Sequence, residues 1–211
     1  GFIKVETSFE NLAQAFSSQP GYLPSDPGAR TSCYAGRPGA NCKWHNKSMS
    51  TKAVVELLLP DDWSRLRAIR LRALEDSGHA FGGTLEAESL EDEAAWREKF
   101  VKNDFLVATV DGIDAAIMYI DVLDGDFGAT CWIGGCWSDP QFRGKGLFSA
   151  LFTYIDNQNK DWKVQGLGVW TDNYSAIAAY EKLGFVKMGE DTASTRQPGK
   201  FYQRMIRKSL V

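Results

Sequence analysis

The sequence predicts an α/β domain in which a mixed sheet is covered by helices on both faces, and three observations carry that prediction. Two apolar runs, residues 105–110 and 113–120, flank Asp111-Gly112, a dipeptide that suits a two-residue hairpin turn. The run Cys131-Trp132-Ile133-Gly134-Gly135-Cys136-Trp137 reads as a buried strand. After a Gly-containing turn, Leu147, Ala150, Leu151, Tyr154 and Ile155 recur at helical spacing. A second strand, over residues 164–171, and a helix from Asn173 repeat the strand-then-helix arrangement. Hairpins join antiparallel neighbours and helical crossovers join parallel ones, so their combination implies a mixed sheet with helices packed on it.

Along the chain, residues 1–48 differ from the rest. They are turn-rich around Pro20-Gly21, Pro27-Gly28 and Pro38-Gly39, and only residues 9–16 suit a short helix. Met49 directly precedes a strong strand over residues 54–59, as an internal translation start would. The segment before it therefore reads as a genuine extension, an over-long start assignment or an expression remnant, and the domain as residues 49–211. Pro60-Asp61-Asp62 starts a helix with a cap candidate and acidic first-turn charge, and Trp63, Leu66, Ile69 and Ala73 give that helix its apolar face. Residues 76–84 read as a loop. A second helix is predicted over residues 89–101, burying Trp96 and Phe100. The hairpin and the two strand–helix units follow, and residues 185–188 and 201–206 close the sheet, giving the order β-α-α-β-β-β-α-β-α-β-β.

The chemistry concentrates in the turn after the first of those units, Gln141, Phe142, Arg143, Gly144, Lys145 and Gly146. A tight turn opening a helix brings several backbone N–H groups together at the positive end of the helix dipole, which suits a phosphate or pyrophosphate. Gly144 and Gly146 leave room for close approach and positive φ, and Arg143 and Lys145 add charge. The same stretch nearly matches a dinucleotide fingerprint, but Ser149 stands where the third Gly belongs and too little chain follows for a second mononucleotide half. A Walker loop fails because Gly146 follows Lys145.

Together with Asn173-Tyr174-Ser175-Ala176-Ile177-Ala178-Ala179-Tyr180-Glu181-Lys182-Leu183-Gly184-Phe185, this turn resembles the two signature segments of the GNAT superfamily of acyl-CoA-dependent N-acyltransferases. The likeness is specific over residues 131–190 and does not reach the first 48. It implies a GNAT-type, mostly antiparallel sheet of about seven strands, and acetyl-CoA as co-substrate. It also implies transfer of the acetyl group to a primary amine by direct attack in a ternary complex. A non-catalytic acyl-CoA sensor of the same fold is the alternative. The resemblance places the pantetheine arm along residues 134–138, including Cys136, Trp137 and Ser138, and the pyrophosphate on the backbone of residues 142–146, with Gln141 also in the cofactor loop. It places Tyr180 beside the thioester sulfur and brings Asn173 within reach of the pantetheine.

Under that resemblance Gly134-Gly135 eases a bulge whose freed N–H groups stabilise the developing oxyanion; the alternative is that the glycines only relieve packing beneath Trp137. Tyr180 is the candidate general acid for the departing thiolate, against the alternative of a core aromatic beside Ile177 and Leu183. Asn173 suits a helix cap. The proton acceptor is unassigned, because Trp132-Ile133 occupies the place of a carboxylate seen in similar chains; Asp139 and Asp172 read more simply as turn or cap residues, and His79 as an exposed loop residue, with contact to the acceptor as the alternative. Phe81-Gly82-Gly83-Thr84 matches where such enzymes line the acceptor cleft, with Tyr119, Trp132 and Trp170 as candidate aromatic walls suited to a cation; plain core packing is an equal alternative for all of them. A small amine or a peptide N-terminus fits as acceptor, and a second copy of the chain is a candidate partner.

Composition bounds the rest. A chain of 211 residues with net charge −3 has no basic excess to suggest a nucleic-acid partner, and no apolar run approaches the ~20 residues of a membrane span. The start of the chain lacks the pattern of a signal peptide, so a cytoplasmic setting with reduced thiols is expected. Cys131 and Cys136 read as small buried hydrophobes. Cys33, Cys42 and His45 lack an evident fourth ligand, so no metal is expected.

Overall fold

The computed structural model describes residues 53–158, 160–195 and 197–208. The helix expected at residues 9–16 and the run of Cys33, Cys42 and His45 lie outside them. Among the described residues seven strands form one sheet: β1 (Val54–Leu57), β2 (Asn103–Val110), β3 (Ile113–Val122), β4 (Cys131–Ser138), β5 (Val164–Trp170), β6 (Val186–Ala193) and β7 (Phe201–Lys208). Their spatial order is β1-β2-β3-β4-β5-β7-β6, and every pairing is antiparallel except β4 with β5.

The period-2 alternation of β2 and β3 sorts their side chains between two cores. Phe105, Val107 and Ile117 pack with Leu66, Ile69, Ala73 and Trp96 beneath α1 (Trp63–Ser77) and α3 (Glu93–Lys102). Leu106, Ala108, Met118 and Ile120 face the opposite way, into a core shared with Leu151 and Phe152 of α4 (Leu147–Asp156) and Ala176 and Tyr180 of α5 (Tyr174–Lys182). Helices thus flank both faces.

Several boundaries differ from the sequence expectation. The single helix predicted over residues 89–101 is two: α2 (Leu85–Ser89), capped by Thr84, and α3, capped by Asp92. The Asp92 carboxylate accepts from Ala95 N at 2.9 Å, and this side-chain cap starts a new helix just after the chain has turned at an exposed Leu90. Phe100 is half-buried, edge-on to Phe105 at 5.1 Å, rather than buried. Helix α1 runs through Ser77, past the expected loop start, and residues 78–80 add a short 3-10 turn. Strand β1 stops at Leu57 because Leu59 N turns to the Asp62 carboxylate, 2.9 Å away. Phe185 precedes β6 instead of opening it, its ring edge-on to Tyr180 and Phe152.

The C-terminal half is tied by a buried ion pair. Arg207 of β7, 4% exposed, meets Asp156 at the end of α4, donates to the Leu183 carbonyl at 3.2 Å and lies over the Phe152 ring. Removing one member of such a pair strands the other charge. Arg207→Ala is therefore expected to cost about 3–5 kcal/mol of unfolding free energy in urea denaturation; a loss below about 1 kcal/mol would show that Asp156 finds solvent at little cost.

Candidate active site

Strand β4 pairs with β5 at only two positions, Cys131↔Gln165 and Trp132↔Gly166. Beyond them β5 follows β7 and β4 follows β3, so among the described residues no strand bridges the two from Ile133 onward. Where they part, β4 bulges. Ile117 pairs with Trp137 and Tyr119 with Gly134, so Gly135 and Cys136 oppose the single residue Met118. Gly135 has φ 61°, a left-handed conformation natural to glycine. An added Cβ at Gly134 would overlap the Tyr119 ring, and one at Gly135 would meet it at 2.8 Å. The two glycines therefore admit Tyr119 onto the bulge; they do not relieve packing beneath Trp137.

From the end of β4 the chain turns through Pro140–Phe142 and two left-handed glycines, Gly144 (φ 75°) and Gly146 (φ 76°), into α4. Asp139 caps the turn by accepting from Gln141 N at 3.0 Å and pairs with Arg72. Gly146 is the N-cap of α4, and Ala150 N bonds back to its carbonyl at 3.0 Å. The first-turn N–H groups before Ala150 have no carbonyl within the helix to bond. They open on a groove of about 190 Å³ whose lining includes Ser138, Arg143, Gly144, Gly146, Ser149 and Lys182. The groove joins the two signature segments, since Lys182 belongs to α5. Ser149 and Lys182 carry no role in the sequence reading; the helical repeat around Leu147 signals only that a first turn lies there, and which side chains face the groove depends on how α5 packs.

Arg143 borders that groove with its guanidinium tied back to other elements. Its Nε donates to the Ser138 carbonyl at 3.1 Å and its guanidinium pairs with Asp76 at 2.6 Å. Asp76, near the end of α1, also accepts from Trp137 Nε1 at 2.9 Å and from Ser77 Oγ at 2.7 Å. Burial works against the Asp76 carboxylate, but these hydrogen bonds and the Arg143 charge outweigh it and hold its pKa below the usual value. The sequence reading missed Asp76, which no motif marks.

On the other side of β4, Asn173 caps α5, accepting from Ala176 N at 3.1 Å. Asp172 is exposed, with Lys200 at 3.7 Å. Tyr180 is buried, and its hydroxyl shares a hydrogen bond with the Cys136 thiol on the bulge. Burial pushes the phenol well above its ordinary pKa, so Tyr180 is a protonated hydroxyl through pH 10. Burial likewise pushes the Cys136 thiol up to about 12 against the hydrogen bond from Tyr180, and the Cys131 thiol up to about 12 with help from the Asp121 charge.

A second cavity, about 390 Å³, lies on the α1–α3 face and reaches Gly135. Leu66 and Arg70 of α1, Glu88 of α2, Trp96 and Lys99 of α3, and Phe105, Tyr119 and Asp121 of the sheet contribute to its walls. Tyr119 contributes to these walls, whereas the other residues expected at an acceptor cleft lie outside this cavity. Phe81 is core beneath the Arg70 guanidinium, Gly83 makes room for the Glu88 carboxylate, and Thr84 caps α2. Trp132 packs with Ala129 and Ile206, and Trp170 with Tyr202. His79 sits in the 3-10 turn after α1, outside the cavity. Among the described residues no cluster of metal-ligating side chains occurs, and no helix is long and apolar enough to cross a membrane.

A split parallel pair, a bulge and a glycine-bounded helix N-terminus define an acyltransferase-like scaffold, and sequence comparison agrees. The family described as "Acetyltransferase (GNAT) family" matches residues 65–185, and the chain belongs to that family. No curated protein matches the sequence. Among solved structures, the fold is similar to a GNAT-family protein from Desulfovibrio desulfuricans (16% identity, TM-score 0.57, 75% of this chain and 99% of that one). It is similar also to the ribosomal-protein-S18-alanine N-acetyltransferase from Escherichia coli (20%, 0.51, 76% and 96%). A third similar structure is yncA from Salmonella typhimurium, solved with its cofactor acetyl-CoA (16%, 0.54, 74% and 93%).

The buried thiols and phenol have a consequence for stability. Each keeps its proton in the folded state to a higher pH than in the unfolded chain, so the folded state binds more protons over that interval. Their stabilising contribution is complete below about pH 9 and declines as pH rises toward 12. Denaturant titrations at pH 8 and pH 11 should show the loss, and Cys131→Ala should show a shallower decline; an identical slope in that variant would remove Cys131 from the account.

Proposed function

We propose that the chain is an N-acetyltransferase that moves the acetyl group of acetyl-CoA to a primary amine within a ternary complex. The observation that carries this reading is the parting of β4 from β5 beside the glycine-bounded groove. An extended amide-bearing arm of the co-substrate fits against the β4 edge at residues 134–138, the segment of Cys136, Trp137 and Ser138. A pyrophosphate fits the N–H groups of the turn and the first turn of α4, where the dipole favours negative charge. Gly144, Lys145 and Gly146 are exposed there, and a side chain at either glycine would enter open space in the groove. Gln141 and Phe142 shape the turn, Arg143 fixes it to Asp76, and Lys145 supplies charge at its rim.

The chain's own groups then divide the work. N–H groups at the Gly134–Cys136 bulge stand where the thioester oxygen gains charge as the amine attacks, and preorganised donors favour that charge. The Tyr180 hydroxyl, held protonated by burial, donates to the departing sulfur. The amine approaches from the opposite face, through the cavity that reaches Gly135, so co-substrate and acceptor meet at the bulge. A small amine enters that cavity whole. A peptide N-terminus of the kind acetylated by the Escherichia coli relative enters by its first residue.

Two substitutions test the reading. Gly144→Ala places a methyl in the groove at φ 75°, a strain of about 1–2 kcal/mol. It is expected to weaken acetyl-CoA binding at least about tenfold in a titration with the folded variant, a change of about 1.4 kcal/mol; unchanged affinity would remove the groove as the pyrophosphate site. Tyr180→Phe preserves the ring packing and should lower kcat at least about tenfold while leaving the acetyl-CoA Kd unchanged, and the wild type should show no loss of kcat from this phenol below pH 10. Wild-type turnover by Tyr180→Phe with chemistry rate-limiting would leave Tyr180 a packing residue. Acetyl-CoA binding without turnover of any amine would favour the sensor reading.

A further inference from the structure

Helix α1 grips the end of β4 and the turn behind it through three side chains. Arg65, Arg72 and Asp76 stand at i, i+7 and i+11, on one face of the helix. Arg65 donates to both carboxylate oxygens of Asp114, near the start of β3, at 2.8 and 3.3 Å. Arg72 donates to the Asp114 carbonyl and to the Asp139 carboxylate, and lies over the Trp137 ring. Oδ2 of Asp76 accepts from Trp137 Nε1 at 2.9 Å and from the Arg143 guanidinium at 2.6 Å. Arg143 completes the link, its Nε donating at 3.1 Å to the carbonyl of Ser138, the last residue of β4.

The turn itself is loosely held from within. Phe142 N bonds to the Asp139 carbonyl at 2.9 Å, but Arg143 N and Lys145 N reach the carbonyls of Pro140 and Phe142 only at 3.4 Å, longer than an ordinary N–H···O bond. Gly144 and Gly146, both left-handed, flank Lys145, and a glycine has more conformational freedom to lose than any other residue. An anion that meets several N–H groups at once binds best when they are held in one arrangement before it arrives. A side-chain tie on Arg143, next to the first of these glycines, supplies that restraint from outside the turn. Burial opposes the charge on Asp76, but the hydrogen bonds from Ser77 and Trp137 and the Arg143 charge hold its pKa below the usual value, so the tie is ionic at neutral pH.

We propose that Asp76 and Arg143 are positioning residues for the co-substrate: Arg143 ties the pyrophosphate turn to β4 and α1 and does not itself ligate the phosphates. This rests on the acetyl-CoA reading above. A cation beside a Gly-rich turn suggests from sequence the opposite role, extra charge for the phosphate. In the fold, Nε and one terminal nitrogen of Arg143 are engaged by Ser138 and Asp76, and the carboxylate offsets the guanidinium charge. The tie fixes the turn against the end of β4, where Ser138 lies. The extended arm and the pyrophosphate of one molecule then meet two segments already held in relation to each other. Asp76 touches no part of the co-substrate and acts only through Arg143 and Trp137.

The test is a double-mutant cycle on the acetyl-CoA Kd of the full chain, measured by calorimetric titration, with thermal melting to establish that each variant is folded. Asp76→Asn and Arg143→Met should each weaken binding at least about tenfold, the scale of one hydrogen bond to a charged group. The double variant should be no more than about twofold weaker than either single one, because both changes remove the same tie. Losses that multiply, to about a hundredfold, would show Arg143 acting on the phosphates directly and overturn the assignment. So would unchanged or tighter binding in Asp76→Asn. Arg143→Lys keeps the charge but not the fork that spans Asp76 and Ser138, so it should bind as weakly as Arg143→Met. Wild-type affinity in Arg143→Lys would overturn the assignment even where Asp76→Asn does not fold. The acetyl thioester of N-acetylcysteamine carries the end of the arm without the pyrophosphate. With an amine that the wild type acetylates, Asp76→Asn should lose far less kcat/KM toward this thioester than toward acetyl-CoA; equal losses would reduce Asp76 to a general structural role. A wild type that binds no acetyl-CoA would remove the acetyl-CoA reading itself, and this inference with it.

Discussion

Strand β4 is asked to hold two partners and pairs fully with only one. It stays in register with β3 through a bulge, while its parallel contact with β5 ends after Trp132. A parallel pair that continued would have spent both edges of β4 on the sheet. Because it stops, backbone donors and acceptors on one edge of a buried strand are left available to a ligand, an arrangement that is costly unless something occupies it. The bulge adds a left-handed Gly135, and the Tyr119 ring laid across both glycines leaves no room for larger residues there.

The placement of Asp76 shows how the two sides of the sheet are kept in step. It sits on α1, whose residues Leu66 and Arg70 wall the cavity that reaches Gly135, yet it binds Trp137 at the end of β4 and Arg143 in the loop that bounds the groove. Arg72 on the same helix reinforces the link through Asp139. One helix therefore fixes the cavity wall, the end of β4 and the turn that follows it. Holding two reactants in fixed relation is itself a large part of lowering a bimolecular barrier. Burial of Tyr180 against Cys136 works the same way on the other face, setting a protonated hydroxyl at the bulge.

Much of this was legible in the sequence because it is local. The Asp111-Gly112 hairpin, the strand–turn–helix at residues 131–155 and the helix opening at Asn173 are each specified by contiguous sequence, and the glycines at 144 and 146 permit the left-handed backbone that both adopt. What escaped is set by packing between distant segments. The single helix expected over residues 89–101 breaks because of one capping Asp, whose effect outweighs a weak apolar repeat. The acceptor-side walls expected at Phe81, Trp132 and Trp170 are core residues, since aromatic composition does not say which face of a sheet lies open. Asp76 belongs to no motif; its partners Trp137 and Arg143 lie on other elements, brought to it by the packing of α1 against the end of β4.

The central claim is that the open edge of β4 and the first turn of α4 together receive acetyl-CoA. Amide hydrogen exchange of the full chain, with and without acetyl-CoA, addresses it residue by residue. The account predicts new protection at residues 134–138 and 144–149, with the β3 side of the bulge unchanged. Saturating acetyl-CoA that left both segments as exchangeable as before, or protected a different face of the protein, would contradict it.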